Sequence, residues 1–162
     1  MTRSNDVSDL GVGAVSGFLT TTPMTLAMGS LHRRLPWWER YSLPPRQVSE
    51  RLAPKVGLRK HFDEEKERGV TLASHFGYGT AMGAVYAPVA QRVGAPWVVS
   101  GPAFGLAVWA GSHLGMLPAL GILSSAMKQP AERNALMVVA HLVRGASLGL
   151  VFDGIKNAKD RI

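Results

Sequence analysis

The chain has 162 residues, enough for one domain, with no cysteine and a formal net charge of +7. The missing cysteine removes disulfides, thiolate metal sites and cysteine nucleophiles together. Residues 33–68 hold ten Lys or Arg against six Asp or Glu, so the basic excess is local; anionic headgroups explain it, and no nucleic-acid motif is present.

Mean hydropathy is near neutral only because the polar residues are gathered between apolar runs. Residues 10–32, 69–91 and 93–127 carry no Asp, Glu, Lys or Arg, and residues 134–152 carry only Arg144. A spanning helix needs about 20 mainly apolar residues, so four such segments are available. The expected spans are 10–31, 70–93, 96–123 and 134–152. A water-soluble bundle of buried helices is the competing reading, but none of the runs has the polar stripe that a water-facing helix requires.

The first span begins after a segment in which Arg3 is outweighed by Asp6 and Asp9, so it reads as a retained span rather than a signal peptide. Pro23 follows Thr20, Thr21 and Thr22; a kink is expected there, with threonine hydroxyls answering carbonyls that the proline frees. The loop 32–68 opens with Arg33, Arg34, Trp37, Trp38 and Tyr41, a basic and aromatic cluster of the kind that anchors a helix end at headgroups. Pro44 and Pro45 suit the start of a short surface helix with Val48, Leu52 and Val56 on one face, bent or ended at Pro54; the mixed charged run Arg59–Arg68 follows. Trp97 marks the start of the third span, which Pro102 and Pro118 are expected to bend.

The second and fourth spans repeat one another. His75, Gly79, Gly83 and Tyr86 recur 66 positions later as His141, Gly145, Gly149 and Phe152. Steps of four put each His and its glycines on one helical stripe, and small residues at that spacing let helix backbones touch. Further pairs are Gly13 with Gly17, Gly101 with Gly105 and Gly111 with Gly115. The expected fold is all-α: an integral membrane four-helix bundle of two helical hairpins, related as a parallel pseudo-repeat, with a surface-lying helical loop. Lys and Arg number twelve in the long loop and the 124–133 connection against five in the N-terminus, the short hairpin and the tail, which places the loop in the cytoplasm and both termini outside.

Helical rise puts His75 about 9 Å and His141 about 10 Å into their spans, with His113 in the same half of the membrane. Three chemistries are open to this layer. Neutral imidazoles could ligate haem b or a transition metal, with Arg144 on a propionate. They could instead hydrogen-bond between helices, to Thr80, Ser112, Ser147 or a freed carbonyl. Arg144, which costs about 3 kcal/mol at mid-membrane and has no acid within any span, could with Tyr78 bind a lipid phosphate or another anion. There is no Walker loop, nucleophile motif or metalloprotease spacing, and no intramembrane acid for a proton relay, so nothing specific argues for an enzyme.

Leu43-Pro44-Pro45-Arg46, His75-Phe76-Gly77-Tyr78-Gly79 and the run His141 to Gly149 resemble the YagU-like family of bacterial inner-membrane proteins. The resemblance covers residues 10–152 and implies a small multispanning protein, associated with acid tolerance and without an assigned reaction. Arg144 stands where the first copy has Tyr78, which departs from the repeat. The expected function is a non-catalytic structural or accessory subunit, in contact with lipid and with other membrane subunits or copies of itself. The alternatives are a haem- or metal-binding protein and a lipid- or anion-binding protein.

Overall fold

The computed structural model describes residues 2–52, 64–159 and 161. Among them all regular structure is helical. Three helices are long: α1 (Thr2–His32), α3 (Glu64–Val93) and α6 (Ala131–Lys159). The fourth long segment is composite: α4 (Trp97–Ala110) passes through a π-helical turn, Gly111–Met116, into α5 (Leu117–Ala119). The short α2 (Pro44–Leu52) lies in the long connection. The expected bend at Pro54, the position of Val56 and the Arg59–Asp63 part of the charged run lie outside the described residues.

The helices outrun the uncharged runs because polar residues at their ends complement the helix dipole. Glu64, Glu65 and Glu67 occupy the first turn of α3, and Lys156 and Lys159 the last turn of α6. By length and composition two helices could cross a membrane, over Val7–His32 and Ala131–Lys159. The α3 helix is diluted by its charged first turns, and α4 is interrupted by the wide turn.

That turn follows from Pro118. A proline has no N–H, so the Leu114 carbonyl has no α-helical donor, and the Leu117 N–H bonds instead to the Ser112 carbonyl five residues back. Gly121, at φ +64°, then reverses the chain, with the Ile122 N–H on the Leu117 carbonyl at 2.9 Å. Gly94, at φ +62°, ends α3 and starts the tight hairpin into α4. Pro23, by contrast, does not interrupt α1. The threonine and serine hydroxyls do not answer the Leu19 carbonyl it frees: Ser16 bonds to Val12, Thr20 to Ser16, Thr21 to Gly17 and Thr25 to Thr21.

Two glycine seams hold the long helices in pairs. Gly13 and Gly17 of α1 lie against Gly79 and Gly83 of α3; a Cβ built on Gly17 would come within 2.7 Å of the Gly83 Cα. Gly101 and Gly105 of α4 lie against Gly145 and Gly149 of α6, where a Cβ on Gly145 would come within 3.1 Å of the Gly105 Cα. Gly111 and Gly115, expected to pack in the same way, meet nothing within 4 Å. Ten residues beyond Gly101 is about 280° of helical rotation, which carries them off the seam.

A third contact, between α1 and α6, joins the pairs. Met24 and Met28 pack there on Leu136, Met137 and Ala140. At the other end Tyr86 and Phe152, equivalent in the repeat, meet with ring centroids 5.5 Å apart and Phe104 beside them. Burial is inverted relative to a water-soluble bundle. Ser16, Thr20 and Thr21 are fully buried, while Val15, Phe18, Leu19 and Leu26 on the same helix are half exposed or more.

Candidate functional site

A cavity of about 360 Å³ lies between the two hairpins, and His75, Tyr78, His113, His141 and Arg144 all stand on its wall. Each element delivers its residue for a local reason. His75, Tyr78 and Gly79 come from one face of α3, and His141 and Arg144 from the matching face of α6. His113 is carried by the π turn, whose extra residue per turn re-aims the side chains around it. Met24 and Met28 of α1, with Leu117 and Leu120, supply an apolar side.

The helix α2 forms part of the cavity wall. Pro44, Pro45, Val48 and Leu52 contribute to the wall, so its apolar face, expected on a membrane surface, is turned inward. Val48 packs on the Leu117, Ile122 and Leu123 cluster. The Ser49 and Thr71 hydroxyls are 2.6 Å apart, and Arg51 donates to the Ile122 carbonyl at 2.7 Å. On its outer side Arg46 donates to Glu50 at 2.8 Å; this bond and the charge of Glu67 raise the Arg46 pKa above its ordinary value.

The protons on two of the imidazoles are assigned by their partners. His141 Nδ1 faces the Met137 carbonyl at 2.8 Å, which can only accept, so Nδ1 carries the hydrogen. The Ser112 hydroxyl donates to the Val108 carbonyl at 2.6 Å, so His113 Nδ1, 2.9 Å from that hydroxyl, donates to it. Both rings therefore present an Nε2 lone pair. The Nε2 atoms of His113 and His75 are buried without a hydrogen-bond partner. Of the three hydroxyls expected to bond to imidazoles between helices, none does so among the described residues: Ser112 meets His113 beside it in the same turn, and the Thr80 hydroxyl bonds to the Phe76 carbonyl.

Arg144 is 3 % exposed and donates from Nη2 to the Gly79 carbonyl at 2.8 Å. Its remaining guanidinium N–H groups have no protein partner among the described residues, and the cavity lining contains no Asp or Glu. Tyr78 shares the wall, with no hydrogen bond joining it to Arg144 among the described residues.

The donor set fits a metal ion poorly. An Nδ1 anchored on a carbonyl or hydroxyl is how metal-binding histidines are held. However, no group of three or more His, Cys, Asp or Glu is placed to hold a metal among the described residues. The His113 and His141 rings are edge to face, 85° apart with centroids at 5.4 Å, so this pair leaves no plane between its rings for a macrocycle. A bound cation would also sit beside an unneutralised guanidinium.

A second buried arginine escaped the sequence reading. Arg133 is 5 % exposed, donates to the carbonyls of Glu39, Tyr41 and Ser42 at 2.5, 3.1 and 3.0 Å, and lies 3.6 Å over the Tyr41 ring. It staples the long connection to the start of α6. Tyr41, expected as a headgroup anchor, is exposed and also tied to the protein, its hydroxyl donating to Gln129 at 3.0 Å. Trp37 and Trp38 remain exposed, as do Arg33 and Arg34, while Trp97 at the start of α4 is partly buried. Nothing in the sequence singles out Arg133, because its partners are backbone carbonyls more than 90 residues away.

A family model described as a protein of unknown function, DUF1440, matches residues 36–149. The chain belongs to the DUF1440 family. The matched region holds the three histidines, Tyr78 and Arg144 of the cavity wall and both seam glycines of α3, Gly79 and Gly83, whereas all of α1 lies before it. No curated protein and no solved structure matches the chain.

Proposed function

We propose that this DUF1440 protein is an integral membrane protein of four long helices that holds a ligand in the chamber between its hairpins, acting as an accessory component by binding rather than by catalysis. The observation that carries the binding reading is Arg144: a buried cation with one backbone partner, no neighbouring acid and an open edge on a cavity. A guanidinium is costly to bury, and one that faces a cavity free of Asp and Glu favours an anion beside it.

The inverted burial of α1 supports the membrane, as do Val98 and Val99 on α4 and Leu150 on α6, all more than half exposed. The resemblance to YagU-like proteins and the basic loop 32–68 support a bacterial inner membrane with that loop in the cytoplasm and the termini outside. The test is fractionation in alkaline carbonate: the protein stays in the membrane pellet and needs detergent to leave it. Release into the supernatant overturns the membrane assignment. Because the chain has no cysteine, single cysteines at Trp37 and Lys159 report sidedness; labelling of the latter from the cytoplasm overturns the orientation. Native mass spectrometry in mild detergent tests the binding reading, which requires a non-protein mass retained with the folded chain or taken up when supplied.

A further inference from the structure

Resting on the chamber reading above, we infer that the ligand is a single-chain amphiphile with a monoanionic head, a long-chain carboxylate, held with its head at Arg144 and Tyr78. Charge sets the first limit. The lining offers one guanidinium and no acid, so one negative charge is balanced and a second would be buried unpaired. The hydrogen-bond pattern sets the position. The Nε2 atoms of His113 and His141 are lone pairs and repel an anion, whereas the free Arg144 N–H groups and the Tyr78 hydroxyl can donate. The head is therefore held by the Arg144 and Tyr78 donors.

Shape and polarity decide the rest. Met24, Met28, Leu117 and Leu120 make the remaining surface apolar, and a small inorganic anion would leave that surface unfilled. A volume of about 360 Å³ is at the lower end of what holds a drug-sized molecule, so it suits one alkyl chain. The open edge of a single arginine also matches the planar, two-oxygen carboxylate better than a bulkier head.

The test is equilibrium binding of radiolabelled palmitate and of hexadecanol to the full chain in mild detergent, with acetate as a head-only competitor. Palmitate binds saturably and about tenfold or more tighter than hexadecanol, the value of one or two charged hydrogen bonds, and millimolar acetate does not displace it. Arg144→Gln brings palmitate down to the hexadecanol level and leaves hexadecanol unchanged. Tyr78→Phe weakens palmitate by about fivefold. Arg144→Lys keeps the preference for palmitate; if Arg144→Gln does not fold, judged by circular dichroism, this variant and the two ligands on the wild-type chain decide the matter. Equal binding of palmitate and hexadecanol overturns the anionic head and leaves the chamber standing. Displacement by acetate shows a simple ion site and overturns the amphiphile. No saturable binding of either chain sinks this inference; if native mass spectrometry also finds no retained or acquired mass, the chamber reading falls with it.

Discussion

The Nη2 group of Arg144 donates to the carbonyl oxygen of Gly79, and the same glycine is pressed from its other side by Thr21 and Gly17 of α1. Gly79 is thus the point where one helix seam, the second hairpin and the chamber meet. A methyl group at Gly79 would overlap the Thr21 hydroxyl, so Gly79→Ala should cost about 1–3 kcal/mol, the usual penalty for overpacking. Gly111→Ala, which meets nothing, should be neutral or stabilise by up to about 1 kcal/mol through reduced backbone entropy. Thermal unfolding in one detergent compares them, and equal melting temperatures would contradict the seam.

Outward-facing residues separate lipid from water as the surroundings. Leu26 is 65 % exposed, and a charge there would be harmless in water, within about 0.5 kcal/mol. In a bilayer Leu26→Arg should lower insertion by up to about 3 kcal/mol, depending on depth. Measured as the membrane-inserted fraction in cells, an unchanged value for Leu26→Arg would point to water.

Arg133 predicts a different phenotype. Arg133→Met keeps the stem but abandons three carbonyls and the Tyr41 ring, and should destabilise by roughly 2–4 kcal/mol. The loss should show first as protease cleavage in residues 33–43, before global unfolding. Cleavage that begins elsewhere would show that the staple is not what holds this segment.

The ring nitrogens can be read directly. Solid-state nitrogen NMR of histidine-labelled protein in lipid should show His113 and His141 as the neutral Nδ1–H tautomer, with Nε2 unprotonated. Finding Nε2–H on His141 would mean that its contact with the Met137 carbonyl is not a hydrogen bond.

The far end of the molecule supplies a stability control. The Tyr86 hydroxyl lies 2.8 Å from the Ser100 hydroxyl, so Tyr86→Phe and Ser100→Ala should each cost about 1 kcal/mol, and the double variant little more than either. Full additivity in denaturation would show that the two hydroxyls do not interact.

The helical class was legible because long uncharged runs with glycines at steps of four admit little else, and the His-Gly repeat marked the stripes on α3 and α6. Helix limits were less legible: hydropathy shows where apolar residues stop, whereas α1, α3 and α6 continue through charged turns that suit their dipoles. Small-xxx-small spacing alone does not make a seam. Gly101 with Gly105 and Gly111 with Gly115 look alike as text, and only the rotation between them tells which pair meets a neighbour.

The order of residues along the chain determined that this protein is helical, that its charge is confined to the connections, and that three imidazoles and one arginine lie in uncharged surroundings. The tertiary structure alone decided what those groups face. Pro118 widens a turn that re-aims His113, α2 folds in as a wall, and carbonyls distant in sequence take up Arg133 and one edge of Arg144. Spacing along a helix dictates which side chains share a face, but hydrogen bonding to backbone carries no residue signature, so its partners emerge only when the helices are packed.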